Sequence, residues 1–288
     1  MTLLSLRTGP LAVDVAPSAG GAIARLAIDG IDLLRPMSVT DQASGRGNNS
    51  AAYPLVPYSN RIKDGHLVFE GETFQLKRNW ATVNHPMHGD GWWHPWDVVR
   101  ADAHSAEIAY RHERDGAAGG WPFRYVARQS YRLEADRLVV TMSLENLEDR
   151  AVPAGIGLHP YFVREADSEL QTDTQWMWKG DAEVLPVERI ATPPEADFSR
   201  SRNVNETHLD NGFDGWQRHA TIRWPSRKLR VDLEASATFG HAVIYVPSQR
   251  PYFCVEPVSH ANGQVGRTHL DAGATLSGDI TFKVSKES

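Results

Sequence analysis

Four short segments of the chain combine titratable or hydrogen-bonding side chains with prolines and glycines that restrict the backbone. The first carries Asn60 and Arg61 in "YPLVPYSNRI", and the second carries three histidines in "HPMHGDGWWHPWDV". The third places His159 in "GIGLHPYF", and the fourth places Glu256 in "YFCVEP". A carboxyl group with a pKa of about 4.3 and an imidazole with a pKa of about 6.5 can share a proton transfer at neutral pH. These residue types therefore favour acid–base chemistry.

The histidine-rich segment raises the question of a metal site. His85, His88 and His94 include an H-x-x-H spacing, which occurs among metal ligands. Zinc sites need three or four ligands at defined spacings, and neither a CxxC nor an HExxH pattern accompanies these histidines. We therefore predict no bound metal and interpret the segment as the wall of a pocket.

The same segment is rich in tryptophan, which serves large cores and also stacks on the faces of ring-shaped ligands. We expect at least one of its three tryptophans to line the pocket and the others to pack within a half-buried strand; they are Trp92, Trp93 and Trp96.

The elements that position these side chains are predicted to be strands. Short runs such as "RLVVTMSLEN", "HAVIYVP" and "YFCVEP" have the two-residue period or the β-branched content typical of strands. Turn signals with glycine beside aspartate or asparagine, such as "IKDGHL" and "LDNGFDGW", separate them. Sustained helical periodicity is absent from the sequence. The chain is therefore predicted to be all-β, a large antiparallel β-sandwich with few short helices.

One region departs from this regular pattern. Residues 165 to 215 are rich in charged residues, prolines and other polar residues, and strands of the earlier style resume after them. No repeat of fixed period is present, which argues against a propeller or a solenoid. We therefore predict a single domain over residues 1–288, in which this region is a long functional excursion from one sandwich.

Composition and charge argue against several classes of protein. Of the 288 residues 41% are hydrophobic and 23% charged, and no segment approaches the roughly 20 apolar residues of a membrane span. The formal net charge of -6 and the lack of a long basic run disfavour nucleic acid as a partner. The first residues show no basic leader before an apolar core, and Cys254 is the only cysteine. Both observations favour the cytoplasm.

Five motifs occur in a fixed order between about residues 50 and 265: "PLVPYSNRI", "HGDGW", "HPYF", "DNGF" and "CVE". In this order they resemble the aldose 1-epimerase (galactose mutarotase) family. The resemblance implies a galactose mutarotase-like supersandwich and an isomerase that interconverts the α and β anomers of a free aldose, such as galactose or glucose. It implies neither metal nor cofactor.

The resemblance also implies the roles of individual residues. Glu256 corresponds to the general base and His159 to the general acid. Five further positions would hold the monosaccharide: Asn60, Arg61, His88, Tyr161 and Asp210. Anomer exchange requires that the C1 hydroxyl lose its proton while the ring oxygen gains one, so one base and one acid must face the same bond.

Two aspartates compete within "LDNGFDGW". The family spacing selects Asp210 for the sugar and leaves Asp214 as the expected turn-former. "HGDGW" also departs from the family pattern, because Asp90 stands where many relatives carry a second glycine.

Two alternative functions stay open. A hexose-6-phosphate 1-epimerase would need a cluster of cations for its phosphate, and the basic residues near the motifs are Arg61, Lys63 and Arg78. A noncatalytic sugar-binding module would keep the cleft but would not require both an acid and a base. We expect a monomer or a homodimer.

Overall fold

The computed structural model describes residues 2–113 and 119–287 of the chain. These residues form 22 strands, one short helix and seven single turns of 3-10 helix. The first twelve strands are β1 (Leu4–Thr8), β2 (Leu11–Ala16), β3 (Ala22–Ile28), β4 (Ile31–Asp32), β5 (Ala52–Leu55), β6 (His66–Phe69), β7 (Glu72–Gln75), β8 (Asp97–Ala101), β9 (Ser105–His112), β10 (Tyr125–Leu133), β11 (Arg137–Asn146) and β12 (Gly157–Val163). The others are β13 (Glu169–Thr172), β14 (Trp176–Gly180), β15 (Pro186–Ala191), β16 (Phe198–Asn203), β17 (Leu209–Asp214), β18 (His219–Trp224), β19 (Leu229–Ala235), β20 (His241–Val246), β21 (Tyr252–Val258) and β22 (Thr275–Lys286).

Helical structure is confined to short segments. The helix α1 spans Val39–Ala43, and the 3-10 turns span Gly47–Asn49, Lys63–Gly65, Gly91–Trp93, Pro194–Ala196, Val204–Glu206, Pro225–Arg227 and Val265–Arg267. Among the described residues no helix has the length and apolar composition needed to span a membrane.

The strands form two large sheets and one separate hairpin. Eleven strands make the first sheet, in the order β1-β2-β3-β5-β12-β21-β20-β17-β14-β15 with β4 paired to β3. Nine make the second sheet, in the order β16-β13-β18-β19-β22-β11-β10-β9-β8, and β6 pairs with β7. The strand pairs among the described residues are all antiparallel. The predicted all-β antiparallel sandwich with few short helices is confirmed.

The apolar core lies between the two sheets. Strand β9 alternates between deeply buried and more exposed side chains, as the two-residue period of a strand predicts. The rings of Phe162 on β12 and Phe282 on β22 join the sheets with centroids 6.2 Å apart, and both side chains are fully buried. Trp224 Nε1 donates a hydrogen bond of 2.8 Å across the core to the carbonyl of Val163.

Strands β12 and β21, in the middle of the first sheet, are buried at nearly every position. Phe162 and Phe253 point from them into the apolar core, whereas His159 and Glu256 line a cavity on the other side. A strand buried on both faces is normally apolar throughout. The buried polar side chains of this second face therefore mark a site.

The region from residue 165 to 215 is not the irregular excursion that its composition predicts. It contains β13 to β17, of which β13 and β16 belong to the second sheet and the other three to the first. Because β15 and β16 lie at sheet edges and are mostly solvent-exposed, their sequences lack the apolar alternation that identifies a half-buried strand. The sequence also predicts a turn at "LDNGFDGW". This prediction is wrong for Leu209–Asp214, which form strand β17.

Candidate active site

A cavity of about 240 Å³, called the central cavity below, lies over five neighbouring strands of the first sheet. The strands β5, β12, β21, β20 and β17 are adjacent in the sheet, and each contributes lining side chains. The register pairs Tyr53 with His159 and Val243 with Glu256. A second row crosses β12, β21, β20 and β17 through Tyr161, Cys254, Tyr245 and Asp210.

The central cavity brings together all seven residues assigned from the sequence. Four come from strands and three from two loops above the sheet; they are His159, Tyr161, Asp210, Glu256, Asn60, Arg61 and His88. Their positions span about 200 residues of sequence, so the antiparallel pairing of the central strands is what makes them neighbours.

His159 and Glu256 form a buried pair in this cavity. His159 Nε2 lies 3.2 Å from Glu256 Oε1, and the two side chains are 7% and 2% exposed. Burial lowers the pKa of His159 to about 3, and the nearby charge of Arg35 acts in the same direction. Burial raises the pKa of Glu256 well above its usual range, and Asp210 adds to that effect. At pH values between these two shifted pKa values the pair therefore holds one proton, which the carboxyl and the imidazole can share.

Each member of the pair has a second polar atom without a hydrogen-bond partner in the described residues. These atoms, Glu256 Oε2 and His159 Nδ1, are both buried. An unpaired buried polar atom costs about 1–3 kcal/mol. Such groups within a cavity are suited to bind a polar ligand, which would remove that cost.

Two tyrosine rings restrain the imidazole of His159. The ring centroids of Tyr53 and Tyr161 lie 4.8 Å and 4.5 Å from that of His159, and both rings stack on it. The Tyr161 hydroxyl donates a hydrogen bond of 3.3 Å to the carbonyl of Asn48, and the guanidinium carbon of Arg35 lies 3.9 Å from the Tyr161 ring centroid. These contacts restrict rotation of the imidazole and keep Nε2 beside Glu256.

Two loops meet over the sheet through reciprocal hydrogen bonds. The backbone N–H of Asn60 donates to Nδ1 of His88, and the backbone N–H of His88 donates to the carbonyl of Asn60, both at 3.0 Å. Because Nδ1 accepts a hydrogen bond, the neutral imidazole carries its proton on Nε2. Burial, together with His159 and Arg61, lowers the pKa of His88 well below its usual range. His88 is therefore an uncharged hydrogen-bond donor at neutral pH.

Both residues of this contact have unusual backbone conformations. The φ angle is 59° at Asn60 and 63° at His88, in the left-handed region that residues other than glycine rarely adopt. Each such residue costs on the order of 1–3 kcal/mol, and such strain concentrates at functional sites. The reciprocal hydrogen bonds hold the two residues in this conformation.

Gly89 permits the close approach of the loop that carries His88. Its φ angle is 68°, and a Cβ atom at this position would lie 1.9 Å from the carbonyl oxygen of Val56. The N–H groups of Asp90 and Gly91 donate to the same carbonyl at 3.1 Å and 3.2 Å. The first glycine of "HGDGW" is thus required by a backbone contact that positions His88.

Arg61 and Asp210 form the polar side of the central cavity. Arg61 Nη2 lies 3.8 Å from Asp210 Oδ2, and the backbone N–H of Arg61 donates to the side-chain oxygen of Asn60 at 2.8 Å. Burial raises the pKa of Asp210, and Arg61 opposes that shift. Arg61 Nε is buried without a hydrogen-bond partner in the described part of the chain. Arg61 therefore stabilises its loop through its backbone N–H, and its Nε–H can still donate a hydrogen bond to a ligand.

The three histidines of the histidine-rich segment make separate contacts. His85 Nδ1 accepts a hydrogen bond of 3.0 Å from the N–H of Asp64, and its Nε2 lies 3.4 Å from Glu183 Oε2. His94 is exposed and stacks on Tyr110 at 5.3 Å. Only His88 of the three lines the central cavity.

The expectation that a tryptophan of this segment lines the same cavity is wrong, because Trp80 lines it instead. Trp92 and Trp93 lie in a 3-10 turn rather than in a strand. Trp92 and Trp96 are 1% and 3% exposed and pack within the protein.

Asp214 is not the predicted turn-former. Its carboxylate accepts hydrogen bonds from Trp178 Nε1 at 3.0 Å and Arg189 Nε at 2.8 Å, and it lies 2.8 Å from His241 Nδ1. This network ties β17 to β14 and β20, so Asp214 stabilises the sheet beside the cavity.

Asp90, the departure within "HGDGW", has a role outside the central cavity. The Tyr125 hydroxyl donates to its carboxylate, and its other oxygen lies 2.9 Å from His112 Nδ1. Asp90 does not line the central cavity. The acidic side chain therefore anchors the back of the loop that carries His88.

Sequence reasoning missed the other lining residues. Tyr53 and Tyr252 could have been found, because they stand in motif strands and Tyr252 shares a face with Glu256. Arg35 and Asn48 lie outside every motif, and no sequence signal marks them. The full set that was missed is Arg35, Asn48, Asn49, Tyr53, Trp80, Val83, Met87, Val243, Tyr245 and Tyr252.

One group of described side chains has the composition of a metal site. The ligand atoms of His159, Cys254 and Glu256 all lie within 4.8 Å of one another, and all three residues are buried. Burial raises the pKa of the Cys254 thiol well above its usual range, which disfavours the thiolate that binds metals. Two of the three atoms also belong to the proton-sharing pair, so a cation here would compete with proton transfer.

The fold and the cavity define a class of protein: an antiparallel sandwich with a polar cavity beside a buried carboxyl–imidazole pair. The family model for aldose 1-epimerase matches residues 2–283. The chain belongs to the aldose 1-epimerase family.

Individual relatives support this assignment. The uncharacterized protein YphB of Escherichia coli K12 is 31% identical over 269 residues, which cover 91% of this chain and 89% of YphB. The crystal structure of a putative aldose 1-epimerase from the same organism has a TM-score of 0.90 at 29% identity, over 99% of both chains. A galactose mutarotase-like protein from Clostridium acetobutylicum shares the fold, with a TM-score of 0.85 at 21% identity over 98% of this chain and 94% of that one.

The close contact at Gly89 generates a prediction about stability. Gly89→Ala adds a Cβ atom in contact with a backbone carbonyl at a positive φ, whereas Gly30→Ala adds one at φ 81° with open space around it. We expect Gly30→Ala to cost about 1–2 kcal/mol because of its positive φ and Gly89→Ala to cost about 1–3 kcal/mol more because of the contact. Urea unfolding of both variants measures the difference. Equal losses would show that the contact with Val56 does not constrain the loop.

Proposed function

We propose that this protein is an aldose 1-epimerase that interconverts the α and β anomers of a free aldose, such as galactose or glucose. The observation that carries the proposal is the buried His159–Glu256 pair, with 3.2 Å between the two side chains. Hydrogen-bonding side chains from the sheet and from two loops line the same cavity, whose volume of about 240 Å³ suits one small polar ring.

The proposed reaction follows from the shared proton. Glu256 accepts the proton of the C1 hydroxyl while His159 donates a proton to the ring oxygen, and the bond between C1 and the ring oxygen breaks. The open-chain aldehyde rotates about its C1–C2 bond. The hydroxyl formed from the ring oxygen then attacks the other face of C1, returns a proton to His159, and the new C1 hydroxyl takes its proton from Glu256. The pair ends in the protonation state in which it began.

The groups around the pair are proposed to hold the sugar hydroxyls. Asp210 accepts hydrogen bonds, whereas Arg61 and the Nε2–H of His88 donate them. Asn60 and Tyr161 complete the set from the loop and the sheet. Holding the ring while C1 turns contributes to the rate because the reacting atoms start close to their reactive positions.

The charges of the central cavity favour a free sugar over a hexose 6-phosphate. Lys63 and Arg78 do not line the cavity, and Arg61 already faces Asp210 at 3.8 Å. Arg35 is the second arginine of the lining, and its guanidinium also packs on Tyr161. A phosphate dianion would require more cations than carboxylates, and the lining holds two arginines beside Asp210 and Glu256.

A noncatalytic sugar-binding module is disfavoured by the energetics of the pair. A binding site needs hydrogen-bonding groups, but it does not need a buried carboxyl group placed 3.2 Å from a buried imidazole, which costs desolvation. Proton transfer, in contrast, requires both groups at one bond.

The direct test is the exchange of a freshly dissolved pure anomer, followed by polarimetry. We expect the folded protein to accelerate the approach to equilibrium for at least one of galactose, glucose, arabinose and xylose. Competition by sugar 6-phosphates separates the free from the phosphorylated class. Sugar binding without any acceleration would instead support a binding module.

Glu256→Gln tests the proposed base. The amide keeps the shape of the side chain but cannot accept the C1 proton, so we expect the exchange rate to fall about 10²–10⁴-fold while sugar binding largely survives. Glu188→Gln is the matched control, because Glu188 is exposed, pairs with Lys179 and does not line the cavity. Polarimetry and calorimetric sugar binding give the two readouts. Unaltered exchange would remove Glu256 from its role.

The pH profile of kcat/KM tests the shared proton. Below the pKa of His159 the pair holds two protons and lacks a base, and above the pKa of Glu256 it holds none and lacks an acid. Because burial lowers the first pKa to about 3 and raises the second, we expect a bell with its acidic limb below the ordinary histidine pKa of 6.5 and its alkaline limb above the ordinary glutamate pKa of 4.5. An acidic limb at the ordinary histidine value would contradict the buried pair.

Independence from metals is a separate proposal. Because both proton-transferring groups are side chains, dialysis against EDTA is expected to leave the exchange rate unchanged. Metal analysis of the dialysed protein provides the control. A loss of activity that a divalent cation restores would show that the group formed by His159, Cys254 and Glu256 holds a working metal.

Three further expectations from the sequence stay proposals. They are a single domain over residues 1–288, a cytoplasmic location, and a monomeric or homodimeric state. Solution scattering and size-exclusion chromatography with light scattering measure the domain organisation and the mass of the assembly.

A further inference from the structure

A buried histidine contacts the loop that carries Asn60 and Arg61. His260 follows strand β21, is 4% exposed and does not line the central cavity. Its Nε2 accepts a hydrogen bond of 3.1 Å from the backbone N–H of Ser59, and its Nδ1 lies 2.9 Å from the carbonyl oxygen of Ala261. Because a carbonyl can only accept, Nδ1 carries the proton of the neutral imidazole. Burial lowers the pKa of His260 to about 4, so Nε2 is an acceptor at neutral pH.

Three successive backbone N–H groups of this loop donate to side chains. The N–H of Ser59 donates to Nε2 of His260, and the N–H of Asn60 donates to Nδ1 of His88. The N–H of Arg61 donates to the side-chain oxygen of Asn60 at 2.8 Å. We call residues 59–61 the Arg61 turn. Because Asn60 has a positive φ of 59°, the turn depends on these hydrogen bonds, and buried histidines accept two of the three.

The imidazole of His260 packs closely against the residues that lead into strand β12. A Cβ atom at Gly155 would lie 2.2 Å from Cδ2 and 2.5 Å from Nε2 of that imidazole. The N–H of Gly155 donates to the carbonyl of Pro57 at 2.7 Å, and the N–H of Ser259 donates to the carbonyl of Ile156 at 3.0 Å. The first glycine of "GIGLHP" is therefore required by the position of His260.

The residues that follow β21 contact both partners of the polar side of the central cavity. His260 holds the Arg61 turn, and the Asn262 side-chain nitrogen would lie 2.9 Å from a Cβ atom at Gly212. Gly212 lies on β17, two residues after Asp210. The distance of 3.8 Å between Arg61 Nη2 and Asp210 Oδ2 is thus set by two elements that pack on the same short segment.

From these contacts we propose that His260 is a positioning residue, which holds the Arg61 turn so that Arg61 and His88 present their donors to the sugar. This inference rests on the proposed function, and His260 itself does not touch the sugar. Arg61 and His88 are proposed to bind hydroxyl groups in the ground state and the transition state alike. Loss of His260 therefore weakens sugar binding more than it slows proton transfer.

His260→Leu is the first test. Leucine fills the buried space but leaves the N–H of Ser59 without its acceptor, so the Arg61 turn is released. We expect KM to rise about ten-fold, the size of one lost hydrogen bond, and kcat to change less than about three-fold. Polarimetry over a range of concentrations of the aldose that the wild-type protein accelerates most separates the two constants. An unchanged KM in the folded variant would overturn the inference.

A conservative variant and a matched control separate positioning from general destabilisation. In His260→Gln the side-chain oxygen can accept from Ser59, so we expect KM to return to within about three-fold of the wild-type value. Equal KM values for His260→Gln and His260→Leu would contradict the hydrogen-bonding role. His104→Leu is the control, because His104 is exposed, its Nδ1 lies 2.9 Å from the carbonyl oxygen of Arg7, and it does not line the central cavity. Its KM is expected to be unchanged.

A double-mutant cycle tests whether His260 acts through Arg61. Arg61→Gln alone raises KM, and adding His260→Leu is expected to raise it less than about three-fold further, because the donor that His260 positions is already absent. A general loss of packing would instead multiply the two effects. A second rise of about ten-fold in the double variant would therefore overturn the inference.

Gly155→Ala tests the same contact without changing His260, and it decides the question if His260→Leu does not fold. The added Cβ must push the imidazole away from Ser59, so we expect a rise in KM in the same direction as for His260→Leu. Circular dichroism confirms that the variant is folded. An unchanged KM would show that the position of His260 does not control sugar binding.

The outcomes separate this inference from the proposed function. Acceleration by the wild-type protein, with KM insensitive to His260→Leu and Gly155→Ala, would overturn the inference and leave the function intact. Absence of acceleration for every sugar would overturn the proposed function, and the inference with it.

Discussion

The buried pair of His159 and Glu256 is the constraint on which the rest of the site depends. Burial disfavours the charged form of each group, and each keeps a polar atom without a partner in the described residues. Packing in the apolar core offsets this cost of burial. On their other face β12 and β21 carry Phe162 and Phe253, which are fully buried in that core. The proton-sharing geometry is thus a property of two adjacent antiparallel strands and does not require a mobile loop.

The loops above the sheet add a second constraint. Asn60 and His88 both adopt positive φ angles and hold each other by reciprocal hydrogen bonds of 3.0 Å. Because Nδ1 of His88 accepts the hydrogen bond from Asn60, its Nε2–H is left free as an uncharged donor. The same loop places Arg61 beside Asp210. Strain in the loops and desolvation in the sheet both reduce stability, and both are concentrated at the central cavity. Strained and desolvated groups concentrated in one place are typical of a functional site.

The sequence predicted the fold class because alternating runs identify strands. The five ordered motifs carry the seven residues that the structure brings together in the central cavity, and the roles of those residues stay proposals. The sequence did not predict the solvent-exposed edge strands or the cavity residues that lie outside the motifs. The exposed edge strands β15 and β16 lack apolar alternation, so the region around them looked irregular. Arg35, Asn48 and Trp80 reach the cavity from segments without a motif. Only the three-dimensional arrangement shows that Trp92 and Trp93 line a neighbouring cavity instead of the central one.

The most direct test of the central claim is a crystal structure of the Glu256→Gln variant with a bound aldose. The account predicts that the C1 hydroxyl lies within hydrogen-bond distance of the residue 256 side chain and that the ring oxygen lies within the same distance of His159. A sugar whose C1 faces solvent or Trp80, with its other hydroxyls on the pair, would contradict the assignment of His159 and Glu256 as the acid and base.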